Sequence, residues 1–348
     1  MDSESPEPHI IATFWEKQDR SRRRIFWLSV CGGLTLFVTP TVLGLFVTWL
    51  VGDEAWGWLI LLFASLFSLV VCLVTIRDLR RGGPWVAEQL FATEIHLETA
   101  KGEERQLFHI VEEMSLASGH RRPGVWVISG EPGINAFAAG LSADDAVIGV
   151  TDGLLKRLDR AATQAVVAHV YSHIIHGDMR MNMQLTGIVS GLNAYLKVGF
   201  ALMHTNMAWL EPQDDDVQPG QGGPTHLAIP GAVLYALGYP GILMARIIQA
   251  EASRERDWLA DAAAVQFTRN PRGLSHALQE VDQHHSHLMT VWRADFGHFF
   301  FAESEEETRK TIVDRYFVRH PDIFDRIRRV GGPFPTDDAV SLGSETVE

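Results

Sequence analysis

His169 and His173 stand four residues apart in the run Ala165-Val-Val-Ala-His-Val-Tyr-Ser-His-Ile-Ile-His-Gly-Asp-Met. On a helix that spacing stacks two side chains on one face. Two imidazoles placed so can bind one Zn²⁺ at about 2.0–2.1 Å. Taken alone the pair is a weak signal, because many helices carry one by chance. His176 follows on roughly the same face. It reads either as a further ligand or as a helix-end histidine favoured by the C-terminal dipole. Val170, directly after the first histidine, can neither accept nor donate a proton and by itself reads as packing. The two cysteines, Cys31 and Cys72, both sit in apolar runs, so neither a disulfide framework nor a cysteine metal site is expected. They read as small apolar filler. The cluster His284, His285 and His287 reads as solvent-facing.

The histidine pair needs a helix to hold it, and the local signals supply one. Asp159 is a good N-cap and Gly177 a stop, so a helix is predicted from Arg160 to about His176. A short helix, Asp152-Gly-Leu-Leu-Lys-Arg-Leu, precedes it. Gly124 to Ser129 and Ala146 to Val150 are rich in β-branched residues, which suits strands, and Asn135-Ala-Phe-Ala-Ala-Gly between them reads as a third. From about Gly83 the composition is that of a globular α+β domain.

The rest of the chain is uneven in polarity. Ile25 to Val51 and Trp56 to Ile76 contain no charged residue. Each exceeds the roughly 20 residues needed to cross a hydrocarbon core. They read as two spanning helices joined by a turn at Gly52-Asp53-Glu54. The first is too long, and lacks a small-residue cleavage site, to be a simple signal peptide. Arg20, Arg22, Arg23 and Arg24 precede the pair, and Arg77, Arg80 and Arg81 follow it. The positive-inside rule then puts the N-terminus and the main domain in the cytoplasm. Two weaker runs, Leu185 to Met203 with Lys197 and Ala228 to Met244 with Pro230 and Pro240, flank an acidic loop, Glu211 to Pro224. They read as a second membrane hairpin or as a buried or surface-lying one. A formal net charge of -13 argues against nucleic acid as a partner.

These segments resemble the HtpX-type membrane zinc metallopeptidases, relatives of the CAAX prenyl proteases. The likeness covers the zinc helix and Asn135-Ala-Phe-Ala, similar to the strand bordering the family's cleft. It extends to Thr151-Asp-Gly-Leu-Leu, Ser253-Arg-Glu-Arg-Asp-Trp-Leu-Ala-Asp-Ala and the closing His320-Pro-Asp-Ile-Phe-Asp-Arg-Ile. The resemblance implies an α+β, mostly helical fold: an N-terminal transmembrane hairpin, a zincin-like cytoplasmic metallopeptidase domain with a small sheet, and an apolar hairpin inserted between the ligand helices. The expected divisions are a cytoplasmic segment 1–24, transmembrane helices 25–76 and a first part of the metallopeptidase-like domain 77–184. The apolar hairpin 185–248, the second part 249–330 and a flexible acidic tail 331–348 follow.

The resemblance also implies one zinc ion on His169, His173 and Asp257, with Asp178 and Asp261 steadying the ligands. Asn135, Ala136, Phe137 and His298 would border the cleft. Two departures matter. The family's H-E-x-x-H glutamate, the general base, is Val170 here. The third ligand, a glutamate in the family, is Asp257, one methylene shorter. General acid–base help is worth about 10²–10⁴-fold, so its loss leaves at best a slow enzyme. The expected function is that of a binding or regulatory pseudoprotease in membrane-protein quality control, holding unfolded or membrane-protein segments. The alternatives are an active zinc metalloendopeptidase that recruits another acid, such as Asp178 or Glu255, and a structural scaffold with a vestigial site.

Overall fold

The computed structural model describes residues 40–207, 228–284, 293–302 and 320–331, together with Trp27, Val30, Gly33, Leu34, Phe37 and Val38. Cys31, the N-terminal arginines, His285, His287, the acidic loop and the tail beyond Gly331 lie outside the described residues. The chain divides into two compact units, Met1–Arg80 with Met183–Ala252, and Arg81–Asn182 with Ser253–Glu348.

In the first unit, α1 (Pro40–Val51) and α2 (Glu54–Leu79) are joined at the expected turn. Asp53 caps α2 by accepting the Ala55 N–H at 2.9 Å. At about 1.5 Å per residue the 26 residues of α2 reach about 39 Å, enough to cross a bilayer core of about 30 Å. Its large apolar side chains point outward: Leu62 is 62% exposed and Phe63 64%. Such a surface is stable only in a nonpolar surrounding. α7 (Asp178–Leu192) and α8 (Ala194–Met207) meet at a bend of 53°, and Lys197 is half-buried in α8. Tyr195 of α8 donates its hydroxyl to the Ala64 carbonyl of α2. α9 (Ala228–Thr268) is one helix of 41 residues and keeps Pro240 inside it. By length and composition two described helices, α2 and α9, can cross a membrane, and the bent α7–α8 pair would make a third.

The second unit is built on a small mixed sheet. β1 (Ala92–Glu94) pairs antiparallel with β2 (Gly124–Ile128), β2 runs parallel to β4 (Val147–Thr151), and β3 (Ala136–Ala139) closes the other side antiparallel to β4. The β-branched residues of β4 explain its place: Val147, Ile148 and Val150 are all buried. Gly149 has its own reason, since a Cβ there would enter the Phe137 ring across the strand pair. Around the sheet lie α3 (Gly83–Gln89), α4 (Gly102–Ser118), α5 (Asp152–Arg157) and α6 (Arg160–His176). α10 (Pro271–His284), α11 (Arg293–Phe296), a short 3₁₀ turn (Gly297–Phe299) and α12 (Ile323–Val330) complete it. Ile110, Val166, Leu274, Leu278 and Ile327 from four of these helices meet in one apolar core. The whole is mostly helical with a small sheet, as expected.

Candidate metal centre

The helix that carries the two histidines begins and ends where its caps dictate. Asp159 accepts the Ala162 N–H at 2.7 Å, and Gly177 takes the left-handed conformation at φ +72°, which only glycine adopts cheaply. Apolar residues surround α6 on nearly all sides, so its histidines sit in a low-dielectric setting. His169 is fully buried and His173 keeps 13% of its side chain exposed.

Each histidine is held from behind by an acid. Asp261 Oδ1 lies 2.8 Å from His169 Nδ1, and Asp178 Oδ2 lies 3.1 Å from His173 Nδ1. A carboxylate on Nδ1 fixes the proton there and leaves the Nε2 lone pair for another partner. His169 Nε2 is buried and, among the described residues, makes no hydrogen bond. An orphaned buried acceptor is costly, and a metal ion is the partner that fits it. The ligand atoms of His169, His173 and Asp257 all lie within 4.8 Å of one another. A tetrahedral Zn²⁺ holds its donors about 3.4 Å apart at its usual bond lengths, so two imidazoles and one carboxylate suit it.

The electrostatics prepare the same state. Burial pushes His169 down to about 4, against the opposing pull of Asp261, so the ring is neutral near pH 7 as a ligand must be. The apolar stretch of α9 ends before Arg246, and Asp257 and Asp261 lie beyond it, in the second unit. Burial would raise the Asp257 carboxyl, but His320, Arg326 and His169 outweigh it and the net shift is down. Asp261 is likewise raised by burial and lowered further by Arg326 and His169, ending well below the carboxylate range.

Two residues that the sequence reading left without a role complete the arrangement. Arg326 is 0% exposed and grips Asp261 through Nε to Oδ2 at 2.8 Å and Nη2 to Oδ1 at 2.7 Å. Its Nη1 donates to the Phe301 carbonyl at 2.8 Å, and its guanidinium lies 4.7 Å from the Phe301 ring. His320 places Nδ1 2.9 Å from Asp257 Oδ2 and Nε2 3.3 Å from the Gly297 carbonyl. Both residues belong to the quoted His320-to-Ile327 segment, which was the only signal for them.

The other candidates stand outside the metal-ligand group. Val170 is 0% exposed and packed into the apolar core. Asn135, buried, accepts the N–H groups of Ala136, Phe301 and Ala302 and donates to the Ala302 carbonyl at 2.9 Å. Phe301 N also donates to the Ala136 carbonyl at 2.8 Å, so residues 300–302 lie along β3, with Phe137 opposite Phe300. His298 is buried, with Nε2 3.1 Å from the Asn182 carbonyl, and is not in the metal-ligand group. His176 is exposed at the end of α6 and also stands outside it. His284 is exposed, beside Glu280 at 3.5 Å. The Glu255 side chain lies outside the described residues.

The family described as Peptidase family M48 matches residues 101–333. A "Protease HtpX homolog" of Limosilactobacillus fermentum is 33% identical over 241 residues, 69% of this chain and 76% of that protein. One from Streptococcus equi subsp. equi is 33% identical over 223 residues, 64% of this chain and 71% of that protein. The crystal structure of S. mikatae Ste24p is similar at 18% identity with a TM-score of 0.41, covering 92% of this chain and 67% of that one.

Proposed function

Because the chain belongs to peptidase family M48, we propose that it is a membrane-embedded, zinc-holding pseudoprotease, which binds protein segments in its cleft and cleaves them poorly or not at all. His169, His173 and Asp257 would hold the ion, and Asp261 and Asp178 would orient the two imidazoles. When bound, zinc supplies Lewis-acid polarisation and lowers the pKa of a bound water towards about 7.

The observation that carries the reading is Val170. The position where the family's H-E-x-x-H motif has its proton-accepting glutamate holds an aliphatic side chain, fully buried in the core. Among the described residues, the three acids at the site are already engaged. Asp178 is on His173 Nδ1, Asp261 on Arg326 and His169, and Asp257 on His320. A carboxylate tied to a ligand's Nδ1 lies behind the imidazole, away from the Nε2 lone pair that a metal would use.

The same reading places the chain in the inner membrane, with its N-terminus and metallopeptidase-like domain in the cytoplasm and unfolded or membrane-protein segments as its partners. Support for the sidedness comes from Arg77, Arg80 and Arg81 at one end of α2 against Asp53 and Glu54 at the other.

The test compares detergent-purified wild type, His169→Ala and Val170→Glu, all exposed to zinc and assayed for metal content, on a denatured protein substrate. The wild type should cut no faster than His169→Ala while retaining zinc. The same substrate should still bind the wild type. Chelator-sensitive cleavage by the wild type would overturn the reading, and cleavage gained by Val170→Glu would strengthen it.

A further inference from the structure

Two of the three candidate ligands are held by one short piece of chain. His320 and Arg326 stand six residues apart, at the approach to α12 and within it. The first meets Asp257, 63 residues away, and the second meets Asp261, 65 residues away. Through Asp261 the second contact reaches His169 Nδ1. We propose that His320 and Arg326 form a two-point clamp that sets the geometry of the metal centre, Arg326 acting through Asp261 on His169 and His320 acting directly on Asp257. The inference rests on the metal-centre reading above.

The arms do different work. Arg326 grips both oxygens of Asp261, which fixes the plane of that carboxylate and with it the direction of the His169 ring. Its third donor, on the Phe301 carbonyl, and its stacking on the Phe301 ring tie the same guanidinium to the segment along β3. The Phe301 ring itself stands 4.9 Å from the His169 ring, nearly perpendicular to it. His169 is thus confined on its Nδ1 side by Asp261 and along its edge by Phe301, and Arg326 touches both.

His320 matters because the third ligand is short. An aspartate has one fewer rotatable bond than a glutamate, so its oxygens are placed largely by what holds them. His320 engages Oδ2 and is anchored on its other ring nitrogen by the Gly297 carbonyl. That contact holds Oδ2 of Asp257 and so fixes how its carboxylate would be presented to an ion. A buried ion pair kept only for stability would be replaceable by apolar residues of similar volume. Here both contacts end on residues of the metal centre.

The experiment is a Co²⁺ titration of the full-length protein in detergent, read by the visible d–d bands, with Zn²⁺ competition and thermal melts alongside. Arg326→Lys keeps the charge but cannot span both oxygens. His320→Gln keeps one polar contact. Arg328→Met, on the exposed side of the same helix at 71% exposure, controls for general perturbation. Partners that orient ligands are typically worth about 10–100-fold in metal affinity, so each clamp variant should bind Co²⁺ that much more weakly and with altered bands. Arg328→Met should match the wild type. Should Arg326→Lys fail to melt cooperatively, His320→Gln decides. Folded clamp variants within about twofold of wild type with unchanged bands overturn the clamp, because outer partners of a metal normally cost far more. A wild type that takes up no Co²⁺ or Zn²⁺, indistinguishable from His169→Ala, instead overturns the metal centre beneath it.

Discussion

Asp261 Oδ1 receives two partners at once, His169 Nδ1 at 2.8 Å and Arg326 Nη2 at 2.7 Å. One carboxylate therefore neutralises a fully buried guanidinium and sets the tautomer of a fully buried imidazole. The substitution Asp261→Asn would keep the shape but strand the Arg326 charge. Removing one partner of a buried pair costs about 3–5 kcal/mol. That variant should therefore lose about that much unfolding stability in a denaturant titration of the metal-free protein. A loss below about 1 kcal/mol, the range of an exposed pair, would show that the pair is hydrated.

Acid should weaken the fold through the same residues. The His169 pKa is lowered from 6.5 to about 4 on folding, so between those values the unfolded chain binds more protons than the folded one. Its contribution is complete above about 6.5 and is lost as the pH falls towards 4. Asp261, also lowered, adds a loss in the same direction at more acid pH. Thermal melts in chelator should show the midpoint dropping as the pH falls across that window, reporting a stability loss on the order of 3 kcal/mol at most from the histidine. His169→Gln should flatten the slope, and an equal slope in that variant would remove His169 as its source.

Asn135 holds residues 300–302 against β3 through the Phe301 and Ala302 amides and the Ala302 carbonyl. Phe301 N keeps a second acceptor in the Ala136 carbonyl, so the truncation exposes fewer orphan groups than the contacts suggest. Each buried orphan costs about 1–3 kcal/mol, and Asn135→Ala should destabilise by about 2–4 kcal/mol. Hydrogen exchange should rise at Ala302 in the same variant. Unchanged protection there would mean that the segment is held by its remaining contacts, Phe301 N on the Ala136 carbonyl and Arg326 on the Phe301 carbonyl among them.

The charges around the apolar helices make a topological prediction. A reporter fused after Arg81 should give a cytoplasmic signal, and one inserted between Asp214 and Gly220 an outside signal. A cytoplasmic signal at the second position would mean that the stretches 185–203 and 228–244 do not cross as a pair.

Much of the scaffold was readable along the chain because its causes are local. Asp159 and Gly177 mark the ends of α6 within one turn of each terminus, and the uncharged run inside α2 reports its own solvent. The β-branched residues of β4 and the spacing of His169 and His173 act over a few residues in the same way. Tertiary structure alone decided the rest. The three-residue β1 exists because β2 offers it an edge, and α9 continues through Pro240 as a single helix up to Asp257 and beyond. No short-range pattern pairs Arg326 with Asp261 or His320 with Asp257. A buried charge is tolerable only where the folded chain closes its partner around it, and that partner lies more than sixty residues away in each case.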